Sequence, residues 1–123
     1  MKKEILVVDD SWTTLVLLEW FLIENGFKAV LAQDVEKAMQ YLKTNTPDLI
    51  FLDLQLPKIS GFDFLKLIRK GDIKIPILVI SANDSNEAIS LVKELGAADF
   101  IAKPFQLNDL LLKVEKLTSS KLK

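Results

Sequence analysis

Leu49-Ile50-Phe51-Leu52-Asp53-Leu54-Gln55-Leu56-Pro57 is the stretch on which the fold turns. Four apolar residues run without a polar interruption, as in a strand covered on both faces, and end on a carboxylate. Packing does not explain that ending, because a buried charge is costly unless something pairs with it. Outward from this stretch the same motif recurs. Ile5-Leu6-Val7-Val8 ends on Asp9-Asp10, and Phe100-Ile101-Ala102 ends on Lys103. Acids and a base at the ends of separate strands point to one shared site.

The rest of the chain fits a repeating strand-and-helix unit. Apolar runs at Phe27–Ala32 and Ile77–Ile80 complete five predicted strands with those at Ile5–Val8, Leu49–Leu52 and Phe100–Ala102. Segments of helical length lie between and after them: Ser11–Asn25, Asp34–Asn45, Phe62–Lys70, Ser85–Leu95 and Leu107–Thr118. Gly26, Gly71 and Gly96 each follow a predicted helix, where a left-handed residue is expected to close the last turn. Pro47 and Pro76 stand before strands, where a helix could not continue. Five βα units with short connections imply an α/β, three-layer αβα sandwich with right-handed crossovers. Ligands of such open sheets bind outside the carboxyl ends of the strands, where the strand order reverses. The expected domain covers residues 1–118, with 119–123 as a polar tail.

Composition narrows the chemistry. The chain has 123 residues, enough for one domain with a core and too few for two. A formal net charge of -1 provides no field for nucleic acid or anionic lipid. With no cysteine there is no disulfide or thiolate chemistry, and with no histidine there is neither a Ser-His-Asp triad nor a phosphohistidine on this chain. No apolar run is long enough for a membrane-spanning helix, and Ile5–Val8 is too short for a secretory signal. The expectation is a soluble cytoplasmic domain without direct contact with nucleic acid or membrane.

Asp9, Asp10 and Asp53 in one crevice repel one another. Two unit charges about 4 Å apart interact at roughly 4 kcal/mol when the effective dielectric is about 20. One lysine does not neutralise three carboxylates, whereas a divalent cation does, and all-oxygen ligation favours Mg²⁺ or Mn²⁺ over zinc. An aspartate is already ionised near neutral pH and attacks phosphorus without a histidine base, giving an aspartyl phosphate. Phosphoryl transfer mainly requires positioning and charge neutralisation. Lys103 and the Ser81 hydroxyl are candidates to face the phosphoryl oxygens.

With Val8-Asp9-Asp10-Ser11, Asp53-Leu54-Gln55-Leu56-Pro57 with Gly61, Ser81-Ala82 and Lys103-Pro104-Phe105 in order, the chain resembles the receiver domains of two-component response regulators. The resemblance implies a flavodoxin-like sheet of strand order 2-1-3-4-5, as in the chemotaxis receiver. It implies that Asp53 accepts the phosphoryl group from a histidine kinase or histidine phosphotransfer protein. Asp10 then holds Mg²⁺ directly, Asp9 largely through water, Asp53 as acceptor and ligand, and Gln55 through its backbone carbonyl. Lys103 is implied to pair with Asp53 at rest and to precede a cis Pro104. Ser81 and Phe100 become the switch pair, and Gln55 and Asn83 tune the phosphoryl lifetime. Ser81 keeps a hydroxyl where threonine is also common, and Phe100 lacks a phenolic oxygen. The implied job is signalling to a downstream protein through the fourth helix, fifth strand and fifth helix, Ser85 to Thr118, with room for a phosphorylation-dependent dimer, and not enzymatic turnover beyond self-phosphorylation and slow autodephosphorylation.

Other readings compete. A receiver-like interaction module that takes no phosphate would share the fold. A flavodoxin would need a hydroxyl- and glycine-rich phosphate loop where Asp9 and Asp10 stand. An aspartate-dependent phosphatase would place a second acid at the position of Gln55. Asp9 or Asp10 taken alone could merely cap the following helix. That helix is oily beyond what a sheet covers: Leu15, Leu18 and Leu22 form one face, and Trp12, Val16, Trp20 and Ile23 another, with Leu17 and Phe21 between. Part of this surface is expected to stay exposed for docking the histidine-bearing partner.

Overall fold

Four of the five helices open on a side chain that accepts a backbone N–H, one of the donors every helix start leaves unpaired. In the computed structural model, which describes residues 2–119, Ser11 Oγ accepts from Thr14 at 3.3 Å and Asp34 Oδ1 from Lys37 at 2.8 Å. Ser60 Oγ accepts from Asp63 at 3.2 Å and Ser85 Oγ from Ala88 at 3.1 Å. These caps start α1 (Trp12–Glu24), α2 (Val35–Leu42), α3 (Gly61–Lys70) and α4 (Asn86–Glu94). The fifth helix, α5, spans Leu107–Ser119.

The helices alternate with β1 (Glu4–Val8), β2 (Lys28–Ala32), β3 (Leu49–Leu52), β4 (Ile77–Ser81) and β5 (Asp99–Ala102). All pairings are parallel, and the sheet order is β2-β1-β3-β4-β5. This is the flavodoxin-like order the resemblance implied. Side chains alternate across the sheet. Ile5, Val7, Leu49, Phe51, Leu78 and Ile80 pack under α1 and α5 against Leu15, Leu18, Leu22, Leu110 and Val114. Leu6, Val8, Ile50, Leu52, Ile77 and Val79 face α2, α3 and α4 through Val35, Ala38, Phe64, Ile68 and Val92. Both faces being covered explains why the central strands read as unbroken apolar runs.

Three local expectations change. Gly26 and Gly96 are left-handed, at φ +86° and +100°, but Gly71 is not, at φ -79°. The left-handed residue after α3 is Asp72, at φ +60°. Its N–H reaches the Arg69 carbonyl and that of Ile73 reaches Ile68, so the closing turn forms one residue later than glycine position suggested. Aspartate is among the few residues that tolerate this conformation, because its short polar side chain bonds locally. The second helix stops at Leu42 and not Asn45, whose side-chain amide instead donates to the Tyr41 carbonyl. At the carboxyl end Ser119 is helical, while the remaining tail, residues 120–123, lies outside the described residues.

Candidate functional site

Register builds the site. Val8 pairs with Leu52, so Asp9 and Asp53 leave adjacent strands side by side, at the point where the chain turns to β2 on one side and β3 on the other. The Asp53 N–H donates to the Val8 carbonyl at 3.0 Å, and the Asp9 N–H to Ala32 at 3.1 Å. Ser81 pairs with Ala102, and the Lys103 N–H donates to the Ser81 carbonyl at 2.9 Å, which brings the lysine over the same strand ends.

Asp9 and Asp53 are buried, at 3% and 7% exposure, whereas Asp10 is exposed. One carboxylate oxygen from each of the three lies within 4.8 Å of the others. Lys103 Nζ donates to Asp9 Oδ2 at 3.1 Å and to Asp53 Oδ2 at 3.2 Å. The second oxygens are also engaged: Asp9 Oδ1 accepts from the Ser11 N–H at 2.8 Å and Asp53 Oδ1 from the Gln55 N–H at 3.0 Å. Burial pushes the Asp9 carboxyl up, against the lowering pull of Ser11 and Lys103. Burial alone would lower the Lys103 ammonium, but the two acids outweigh it and raise its pKa.

All the sequence-predicted acids and the base therefore converge. Ser81 is buried beside them, its Oγ accepting the Asn83 N–H at 3.1 Å. Gln55 and Asn83 are exposed at the mouth, and the Lys103-Pro104 bond is cis. Phe100 is half-buried against the α2–α4 side of the core. Capping of α1 falls to Ser11 and not to Asp9 or Asp10. Two features were not foreseen. Lys103 binds Asp9 as well as Asp53, and Gly61 is pressed onto the backbone just past β3. A Cβ there would lie 2.6 Å from both the Asp53 carbonyl oxygen and Leu54 Cα, and the Gly61 N–H donates to the Leu54 carbonyl at 2.9 Å. No sequence signal showed the first; the glycine eight residues after Asp53 was the signal for the second.

Three carboxylates against one ammonium leave an excess of negative charge, and every ligand atom is a hard oxygen. The donor set fits a small divalent cation such as Mg²⁺.

Fold and pocket together define a doubly wound α/β domain with a lysine-bridged acidic crevice at its topological switch point. Residues 5–115 match the response regulator receiver domain, and the chain belongs to that family. It is 38% identical over 117 residues to the alkaline phosphatase synthesis transcriptional regulatory protein PhoP of Bacillus subtilis, covering 95% of this chain and 49% of that protein. The chain spans about half the length of the curated relatives it matches. Among solved structures, the Francisella response regulator 1452 receiver domain superposes with a TM-score of 0.93 at 30% identity, covering 98% of this chain and 99% of that one. The Vibrio cholerae chemotaxis protein CheY4 gives 0.89 at 27% identity, covering 95% and 99%.

Proposed function

We propose that this domain is a phosphorylation-controlled switch whose acceptor is Asp53. The observation that supports it most is the geometry around that carboxylate: buried, held by Lys103 at 3.2 Å, and beside two further acids. A carboxylate oxygen of Asp53 attacks the phosphorus of a partner's phosphohistidine. The new bond is P–O, the P–N bond breaks, and the imidazole leaves with the electron pair and takes up a proton. Lys103 neutralises phosphoryl oxygens, and the Ser81 hydroxyl donates to one of them. Asp10, Asp9, Asp53 and the Gln55 carbonyl would hold Mg²⁺, or Mn²⁺, whose chemistry when bound is to offset phosphoryl charge. Gln55 and Asn83 at the mouth control water access and so the lifetime.

The histidine kinase or phosphotransfer partner docks on α1. Trp12 and Trp20 are 59% and 55% exposed, and Val16, Leu17 and Ile23 join them on one face. An apolar surface of that kind marks an interaction site. Loading of Asp53 shifts a pre-existing equilibrium through Ser81 and Phe100 to the α4–β5–α5 surface, which a downstream protein or a second copy reads. We place the domain in the cytoplasm; none of its described helices is long and apolar enough to cross a membrane. The Bacillus relative's role in transcription belongs to a protein of which this chain matches 49%, so the expectation of no nucleic-acid contact extends only to the described residues.

Incubation with Mg²⁺ and acetyl phosphate, read by intact mass, tests the acceptor. A single phosphoryl adduct is expected in the wild type and none in Asp53→Asn. An adduct that survives the substitution, or none in either protein, overturns the reading.

A further inference from the structure

Arg69 near the end of α3 makes an unusual set of contacts for a cation. Nη1 donates to the Ile73 and Ile75 carbonyls at 2.6 and 3.2 Å, and Nη2 to the Gly96 carbonyl at 2.8 Å. None of the ion pairs among the described residues involves it. The guanidinium thus ties the α3–β4 connection to the residue just past α4, using a rigid fork of donors that no other side chain offers. The stem fits as closely as the head. A Cβ on Gly96 would lie 2.8 Å from Arg69 Nε and 3.2 Å from Cγ, so the left-handed glycine leaves the space the arginine fills. The carboxyl end of α4 is held further by Gly96 N–H to Lys93 and Ala97 N–H to Val92, at 3.0 and 2.8 Å.

The other end of α4, capped by Ser85, is open to solvent and lies next to the site. Residues 82–87 are all exposed, and the link back to the pocket is the Asn83 N–H on Ser81 Oγ. One end of the helix is clamped and the other is wired to the hydroxyl that reads the phosphoryl group.

We propose that Arg69 is the fixed pivot of α4, so that a signal entering at Ser81 tilts the helix about Gly96 instead of sliding it. The claim rests on the switch reading of Asp53 and Ser81. About ten residues separate Gly96 from the start of α4, roughly 15 Å at 1.5 Å per residue. A tilt of about 8° then moves Asn86 by about 2 Å while Gly96 stays in place. Arg69 is a positioning residue in this scheme and touches no reacting atom.

Amide exchange and chemical shifts of the full chain, with and without Mg²⁺ and acetyl phosphate, test the pivot. Without phosphodonor, Arg69→Met is expected to speed exchange at Leu95, Gly96 and Ala97 by at least about tenfold while Ile5–Val8 and Leu49–Leu52 stay as in wild type. Arg69→Lys should restore only part of the protection, since one ammonium cannot span both connections. Gly96→Ala, which drives a methyl into the arginine stem, should loosen the same amides if Arg69→Met does not fold. With phosphodonor, wild-type shifts should change from Ser81 to Ala88 and leave Lys93–Ala97 in place, and in Arg69→Met the change should spread to Ala97. Unchanged exchange in the folded variant, or wild-type changes as large at Gly96 as at Asn86, overturns the pivot. Absence of any wild-type response near Asp53 and Ser81 overturns the switch reading instead, and the exchange arm still decides the clamp.

Discussion

Gly61→Ala tests whether the acceptor is positioned by contact with α3. The added Cβ would meet the Asp53 carbonyl oxygen and Leu54 Cα at 2.6 Å, against an ordinary carbon contact of about 3.5 Å. Both obstacles are backbone, so no rotamer change relieves them, and either β3's end or the start of α3 must retreat by about 0.9 Å. Overpacking of this kind costs about 1–3 kcal/mol, and weakening the Gly61-to-Leu54 hydrogen bond adds about 1 kcal/mol. Alanine's better helix propensity returns about 1 kcal/mol at most. Sterics therefore win, with a net loss of about 1–3 kcal/mol. With a urea slope of roughly 2 kcal/mol/M the unfolding midpoint falls by about 0.5–1.5 M. Misplacing a reacting group by about 1 Å slows its chemistry by up to about 10²-fold. Phosphorylation of Asp53 by acetyl phosphate, followed by intact mass, should slow at least about tenfold. An unchanged midpoint refutes the steric reasoning, and a lowered midpoint with a wild-type rate shows that α3 yields and Asp53 does not depend on it.

Mg²⁺ should raise the melting temperature in a concentration-dependent way, because an acidic crevice that holds it in the folded state alone would be stabilised by mass action; Asp10→Asn should flatten that dependence and, by removing one of three mutually repelling carboxylates, slightly raise the melting temperature in chelator. Burial alone would raise Asp99, but the Lys113 ammonium at 2.9 Å and the Phe100 N–H outweigh it and hold its carboxyl below the ordinary value. The unfolded chain then binds the proton first, so this contribution is complete above about pH 4 and is lost as pH falls through the folded value. Urea midpoints measured from about pH 6 down to pH 3 should fall less steeply in Lys113→Met than in the wild type. Trp20→Ala should cost less than about 1.5 kcal/mol because over half of the residue is in solvent, whereas Leu18→Ala, fully buried two residues earlier, should cost about 2–5 kcal/mol.

Five alternating strands and helices, with Asp9, Asp53 and Lys103 at strand ends, were legible because they depend on long-range regularities, whereas the sheet order that makes β1 and β3 neighbours came only through the resemblance to receiver domains. Strands buried on both faces read as oily runs, and the charges that end them have nowhere to go but the strand ends. The two stripes of α1 could be separated in the sequence, but not which of them lies outside, because both are apolar; Leu15, Leu18 and Leu22 are inside and Trp12, Val16, Trp20 and Ile23 outside. Local closure was less legible. Gly71 and Asp72 are adjacent, both suit a turn, and only the hydrogen bonds from Asp72 and Ile73 back into α3 decide which turns left. Asn45 illustrates a similar ambiguity, since an amide continues a helix or caps the carbonyls at its end, and here it caps. Arg69 was invisible because its partners are backbone carbonyls, which every residue has.

The pairing of Lys103 with both buried acids bears on how the site takes a phosphoryl group. An ammonium has three N–H donors, and two are committed, to Asp9 and Asp53. The third is free of both carboxylates. A phosphoryl group built on Asp53 brings oxygens with more charge than the carboxylate it replaces, and these draw the ammonium toward them. Asp9 can follow only slightly, since its other oxygen is anchored by the Ser11 N–H at the start of α1. On the proposed function, loading would therefore pull a cation away from an acid whose buried carboxyl is already pushed up by desolvation. Asp9 and its Ser11 contact lie at the junction of β1 and α1, beside the exposed face that begins at Trp12. On the proposed function, phosphorylation would then act on the surface proposed to dock the donor as well as on α4, and loaded and unloaded domains would differ in affinity for the same partner.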